Sequence, residues 1–314
     1  MPFLRFIPET TNVDFVGARY YAFAVDGLLL LVTVVSILWH GFNLGIDFTG
    51  GVSLEVKSSV TVDDVVTGKL HNLIAPLNYG EVQVQSFSGG ACDTPINSCA
   101  LIRVPPQAGQ SGDAQAAAIK AKLGSTYTIR NVQVIGPKVS AELFHDGVIA
   151  TVLAILLISI YVAFRFEWQY GVGALIATGH DVLVTAGFFS VLHLDFTLNS
   201  VAALLLLAGY SINDTVVVFD RIRENRRKYK RMALPELINL STNQIATRTT
   251  LVSVATALTM VPLALYGGPA LRDFAGAILF GILVGTFSST YVAAALLLYL
   301  PAPAGSRSEE ATAT

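Results

Sequence analysis

The stretch NSVAALLLLAGYSINDTVVVFDRIRENRRKYKR, residues 199–231, decides the fold class. Residues 199–219 are mostly apolar, and residues 221–231 then carry seven Arg and Lys side chains. A bilayer core of ~30 Å takes about 20 mostly apolar residues as a helix. The stretch therefore reads as a membrane span ending at a charged surface. The composition agrees: 53% of the 314 residues are hydrophobic, 13% are charged and the mean hydropathy is +0.59. Soluble domains carry roughly 25% charged residues, so a water-soluble enzyme of this size would lack the polar surface to cover itself. The net charge of -2 gives no reason to expect nucleic acid as a partner.

Five further stretches qualify as spans: 20–39, 144–164, 171–192, 247–266 and 273–299. Short loops make the second, third and fourth antiparallel neighbours. Only Arg248 places an Arg or Lys inside a span. The first span is too long for a signal-peptide core and is followed by Gly-Phe-Asn-Leu-Gly at 41–45 rather than a small-residue cleavage site, so it reads as retained. Basic residues in short loops fix orientation. Arg5, Arg19, Arg165 and the 221–231 run fall on one side, which becomes the cytoplasmic side, with both termini, and the insert between the first two spans then lies outside. The basic run itself reads as an orientation lock at the lipid surface, with a cytosolic partner as the alternative.

That insert is long enough for one small domain. Its pattern predicts strand 52–57, helix 61–76, strand 80–88, strand 99–105, helix 112–124 and strand 127–135, with alternation in Val82–Gln85 and Ile129–Val134. Two β-α-β units in tandem suggest a ferredoxin-like sandwich. The expected fold is thus an α-helical membrane protein: six transmembrane helices with a small extracytoplasmic α+β (ferredoxin-like βαββαβ) domain between helices 1 and 2. The corresponding boundaries are a cytoplasmic N-terminus at 1–19, helix 1 at 20–39, the exterior domain at 40–143, helices 2–6 within 144–300, and a disordered cytoplasmic tail at 301–314. Cys92 and Cys99, the two cysteines, fall in the exterior domain, where a disulfide can close their loop; two free thiols are the alternative. Without a nearby His they do not make a zinc set, so no metal site is expected. No phosphate loop, H-E-x-x-H or G-x-S-x-G occurs, and no enzymatic function is expected.

Ionisable residues inside spans cost at least ~2.5–3.5 kcal/mol and point to function. Asp214 follows Tyr210 and Ser211 by four and three residues, on one helical face and beside Asn213, so these groups are expected to hydrogen-bond its carboxyl. At 1.5 Å per residue, Asp214 lies roughly 10 Å inside the cytoplasmic end. Arg248 enters the fifth helix from the same side and shares that depth, followed by a polar stripe of Thr249, Ser253, Thr256 and Thr259. Asp214 and Arg248 are expected to meet, either as a proton-coupling pair or as a permanent ion pair locking helices 4 and 5. Asp26 reads as an interfacial residue near Arg19. His180 and Asp181, beside Gly179, read as a proton relay or a structural pair. Gly281 and Gly285 form a GxxxG close-packing face.

These residues resemble the SecD/SecF protein-export family of the resistance-nodulation-division superfamily. The match rests on Gly45-Ile-Asp-Phe-Thr-Gly-Gly51, on Gly209 through Asn225, and on Gly285-Thr-Phe-Ser-Ser289, with His180-Asp181 also similar to the family pattern. Asp47, Gly50 and Gly51 fall in the first motif, where two glycines suit a tight turn before a strand. The resemblance implies half of a twelve-helix assembly in the bacterial cytoplasmic membrane, completed by SecD. The start at Met1 and the polar end lead us to expect SecD as a separate chain. The resemblance also implies a role in preprotein export through SecYEG after SecA, driven by the proton-motive force, with YajC and YidC as further partners and unfolded preprotein at the exterior domain. It assigns proton coupling to Asp214 and Arg248, with the proton as coupling ion and no cofactor. Asp26 and the cysteine loop belong to no motif of the family. The rival readings are a non-coupled scaffold of the translocase and a small-molecule exporter of the same superfamily.

Overall fold

The computed structural model describes residues 11–80, 82–87, 92–95 and 97–301. Arg5 and the tail beyond residue 301 lie outside the described residues. The chain enters through α1 (Arg19–His40), then a two-residue strand β1 (Asn43–Leu44) and a one-turn helix α2 (Ile46–Thr49). A small sheet domain follows, built as β2 (Gly51–Lys57), α3 (Asp64–Ile74), β3 (Gln83–Phe87), β4 (Cys99–Val104), α4 (Gly112–Leu123) and β5 (Thr128–Ile135). Five long helices complete the molecule. They are α5 (Pro137–Arg165), α6 (Trp168–Val191), α7 (Leu198–Lys228, after strand β6 at Asp195–Phe196), α8 (Leu234–Tyr266) and α9 (Gly268–Phe287). The last continues through a π-helical turn (Ser288–Ala293) into α10 (Ala294–Leu296).

Six segments are long and apolar enough to cross a membrane, in the order expected from the sequence. The helical core is α6, α7 and the α9–α10 segment; α1, α5 and α8 surround it and keep broad exposed apolar faces such as Leu31, Leu157, Tyr161 and Leu258. In lipid such faces are no liability, because hydrocarbon solvates them as well as protein does. Gly281 and Gly285 lie against α7: a Cβ at Gly281 would stand 2.5 Å from the Leu207 side chain, and one at Gly285 would stand 3.5 Å from Ser211. Gly179, by contrast, has open space beside it.

Helix ends differ from the sequence reading in a consistent way. α7 runs on to Lys228 and α8 begins at Leu234, well before 247. Their extra turns pack on each other, with Asn225 Nδ2 donating to Ser241 Oγ (2.9 Å) and to Gln244 Oε1 (2.8 Å). Arg221 Nε donates to the same Gln244 oxygen at 2.8 Å. Hydropathy finds the part of a helix that sits in lipid; these polar turns are invisible to it. The segment before α1 is strapped to the same end of α8, where Asn243 Oδ1 accepts from Val13 N (2.8 Å) and Asn239 Oδ1 from Val16 N (2.8 Å).

In the sheet domain the strand order is β3-β4-β2-β5 and every pairing is antiparallel. Val52, Leu54 and Val56 point to one face and pack on Leu70, Ile74, Ile119 and Leu123 of α3 and α4. The alternation predicted for 129–134 is interrupted: the register slips between Glu55 and Val56, leaving Arg130 outside the pairing. The bulge lets Ile129 and Val132, three apart, both reach the core. Cys92 and Cys99 are joined as a disulfide. Helices α3 and α4 start at capping side chains, Asp63 accepting from Val66 N and Ser111 from Ala114 N.

Gly50 and Gly51 make the turn into β2 with φ of 74° and 117°. A Cβ on Gly51 would sit 2.2 Å from the Val104 carbonyl oxygen on the neighbouring strand. Gly51→Ala therefore combines left-handed strain of about 1–3 kcal/mol with a backbone collision. We expect that variant to lose folded protein and to melt earlier in detergent, whereas Gly68→Ala, with open space at its Cβ, changes little.

Candidate functional site

The polar residues of the helical core converge on α7. Its N-terminus is closed by a capping box, with Thr197 N donating to Ser200 Oγ at 3.0 Å. The N–H of Leu198, the first helical residue, donates to Asp47 Oδ2 at 2.8 Å, although Asp47 lies 151 residues earlier. A carboxylate there also complements the helix dipole, as Arg226, Arg227 and Lys228 do at the other end. Farther along, Ser211 Oγ donates to Asp181 Oδ2 of α6 at 2.5 Å, and Tyr210 Oη donates to Ser253 Oγ of α8 at 2.8 Å. Ser253 in turn shares a 2.7 Å hydrogen bond with Thr286 of α9.

Asp214 lies on the buried side of α7, only 3% exposed, and its Oδ2 has no hydrogen-bond partner. The groups expected to hold it are engaged elsewhere: Tyr210 turns to Ser253, Ser211 turns to Asp181, and Asn213 is exposed. Arg248 does not meet it either. Among the described residues the two form no ion pair, and Arg248 is exposed. The reason is periodicity. The buried stripe of α8 runs Ser241, Ile245, Thr249, Ser253, four apart, and Arg248 falls one residue off it. Thr249 and Ser253 keep the predicted stripe, while Thr256 and Thr259 bond back to carbonyls of their own helix.

His180 and Asp181 do form a pair, Nδ1 to Oδ1 at 3.1 Å, and Asp26 joins them across the α1–α6 boundary, 4.0 Å from His180 Nε2. Asp26 is buried in the α1–α6 seam.

A second cluster connects this bundle to the sheet domain. Arg103 on β4 forms a two-pronged ion pair with Asp195 of β6, one prong at 2.7 Å between Nη1 and Oδ1. Asn43 Nδ2 donates to the same Asp195 Oδ1 at 2.8 Å, and β1 pairs in parallel with β6. Burial pulls the Arg103 guanidinium below its ordinary pKa, with the Asp273 carboxylate opposing that shift. Asp47, Glu55, Arg103, Gln133, Asp195 and Asp273 line a polar cavity of about 320 Å³ between the open face of the sheet and the start of α7.

Residues 115–302 match the family model for the C-terminal region of the protein-export membrane proteins SecD and SecF, and residues 35–62 match the SecD/SecF GG motif. The chain is 38% identical to the protein translocase subunit SecF of Rhodobacter capsulatus, over 95% of this chain and 91% of that protein. It is 37% identical to the one from Cereibacter sphaeroides, over 99% and 96%. The chain belongs to the SecD/SecF family.

Among solved structures, SecDF of Thermus thermophilus, a translocon-associated membrane protein, superposes with a TM-score of 0.83 at 34% identity, over 93% of this chain. The chain spans only 39% of that SecDF chain. SecDF in a super-membrane-facing form superposes at 0.66, over 97% of this chain and 40% of its own length, also at 34% identity. The named relatives are translocase subunits, so the family role is transport rather than catalysis. In this SecD/SecF chain the GG-motif region holds Asn43, Asp47, Gly50 and Gly51, the segment that ties α7 to the sheet. Sequence reasoning missed Arg103 and Asp195. The available signals were an Arg inside the apolar strand Leu101–Val104 and an Asp in a loop lacking any basic residue.

The Arg103–Asp195 pair is partly buried, so removing one member costs less than the ~3–5 kcal/mol of a fully buried pair but still strands the other charge. Arg103→Met should therefore loosen the sheet domain from the bundle, read as faster limited proteolysis between residues 40 and 137. Arg103→Met combined with Asp195→Leu should recover most of the protection.

Proposed function

We propose that this chain is a proton-coupled accessory subunit of the Sec protein translocase, acting with SecD to help preproteins cross the bacterial cytoplasmic membrane through SecYEG. One observation carries the reading: Asp214, a carboxyl buried without a hydrogen-bond partner at Oδ2, sits on the helix whose N-terminus is held by Asp47 and Asp195 of the domain-docking cluster. An unpaired intramembrane acid is costly to ionise, so its presence points to a use for its change of protonation. Gain or loss of that proton changes the charge that α7 must accommodate, and the Asp47 and Arg103–Asp195 contacts give α7 a direct purchase on the sheet domain.

The order β3-β4-β2-β5 with a helix after the first and third strands fits a ferredoxin-like domain. The Lys and Arg distribution puts that domain outside, where emerging preprotein is available, and puts both termini and the 221–231 run in the cytoplasm. SecD supplies the other six helices, SecA delivers substrate to the channel, and YajC and YidC are neighbours. Ion sites in repeat-built transporters lie between the two halves. The exposed position of Arg248 suits a contact with that second half better than a lock between α7 and α8.

The test is proton-dependent export into inverted vesicles. Asp214→Asn should reduce export to the level seen without a proton gradient while SecD still copurifies in full amount. Exchanging the charges, Asp214→Arg with Arg248→Asp, should not restore it, because the two side chains do not meet. Undiminished export by Asp214→Asn would overturn the reading, and rescue by the exchange would favour the scaffold.

A further inference from the structure

We propose that Asp26, His180 and Asp181 form a second protonation site, separate from Asp214, whose occupancy fastens the inner half of α1 to α6. The imidazole lies between two carboxyl groups: Nδ1 is 3.1 Å from Asp181 Oδ1, and Nε2 is 4.0 Å from Asp26 Oδ2 and 3.5 Å from the Asp26 carbonyl oxygen. Asp26 is 5% exposed, and neither of its carboxyl oxygens has a hydrogen-bond partner. A neutral imidazole has one N–H and an imidazolium has two. Both ring nitrogens face acceptors on different helices, so only the protonated ring can donate to α1 and to Asp181 at once.

The surroundings leave this cluster to itself. From α7 it meets the Ser211 hydroxyl, which fills Asp181 Oδ2, with Asp214 three residues farther along. From α9 it meets Gly285, where a Cβ would stand 3.5 Å from Asp181 Oδ2. Among the described residues no Lys or Arg pairs with any of the three. With both acids ionised and the ring protonated, the cluster carries a single negative charge, which one more proton removes. No group of three His, Cys, Asp or Glu is arranged to hold a metal ion among the described residues, and the ligand proposed is the proton.

The consequence for α1 follows from where its other contacts lie. Toward its outer end, Ser36 Oγ meets Ser190 Oγ at 2.8 Å, and Ser190 donates to the Gly41 carbonyl at 2.7 Å. Thr33 packs where Gly187 has no side chain. The inner half of α1 has Asp26 as its polar link to α6. Loss of the proton breaks that link while the outer end, and the strap from Val13 and Val16 to α8, stay fixed, so α1 loosens from α6 around Asp26 between its two tied ends. The use of this motion in export rests on the proton-coupled reading above; the site itself does not.

The experiment uses the full chain in lipid nanodiscs, with His40, His71, His145 and His193 replaced by Gln so that His180 is the one histidine left. Nitrogen NMR of its labelled imidazole is followed between about pH 5 and 8. The expected result is a reversible change from two N–H groups to one. Asp26→Asn should displace that change by about one pH unit or more, or abolish it, whereas Asp214→Asn leaves it in place. A ring held in one state throughout overturns the proposal, and so does a titration untouched by Asp26→Asn. Should Asp26→Asn fold poorly, spin labels at the exposed residue 25 and on α6 in the otherwise intact chain give the second readout. A pH-dependent change in their separation supports the site, and a constant separation overturns it. Undiminished export in Asp214→Asn, which overturns the proton-coupled reading, leaves both readouts unaffected, so the two readings fail separately.

Discussion

A polar group inside hydrocarbon has no water to turn to, and its partner must come from the protein. α7 lives under that constraint for most of its length. Ser211 is answered by Asp181 on α6, Tyr210 by Ser253 on α8, and the N–H of Leu198 by Asp47 from the segment before the sheet. Each answer comes from a different element, so the hydrogen bonds that make α7 tolerable in the membrane also fix which helices surround it. Gly281 and Gly285 complete the arrangement by letting α9 come close enough to pack on Leu207 and Ser211.

The same logic explains how the sheet domain is held. Its apolar face is closed by α3 and α4, and its other face is polar and would otherwise meet water above the bundle. Arg103 finds Asp195 there, and Asn43 reaches the same carboxylate. Two short parallel strands, β1 and β6, bring those side chains together by joining the exit of α1 to the entry of α7. β6, at the entry of α7, is thus joined to the middle of β4 through an ion pair rather than an apolar contact. An ion pair with two hydrogen bonds has direction, and apolar contacts do not.

Much of this was legible in the sequence, and the failures have physical reasons. Long apolar runs gave the spans, and alternation gave the strands of the sheet domain within a few residues, except where the bulge at Arg130 broke the period. Polar extensions of α7 and α8 went unseen because hydropathy measures lipid contact, not helicity. Tyr210 and Ser211 share a face with Asp214, yet neighbours on a face bond to whatever the next helix offers, and here that was Ser253 and Asp181. Arg103 and Asp195 are 92 residues apart, and nothing local announces their meeting.

The Asp214–Arg248 case separates two kinds of information. Counting residues from a charged end gives depth, and depth was the basis for pairing them. Contact also needs the right azimuth, and on a 3.6-residue helix one position is a turn of about 100°. The buried stripe of α8 at Ile245, Thr249 and Ser253 excludes its neighbour at 248. Asp26 shows the reverse. Two turns beyond Arg19 it looked close enough to the surface to be solvated, but azimuth places it against His180 in the α1–α6 seam. Depth decides what an ionisable group costs in a membrane; azimuth decides whether another group shares the cost. In this chain the second quantity separates the buried His180 cluster, whose members meet one another, from Asp214, whose Oδ2 has no hydrogen-bond partner among the described residues.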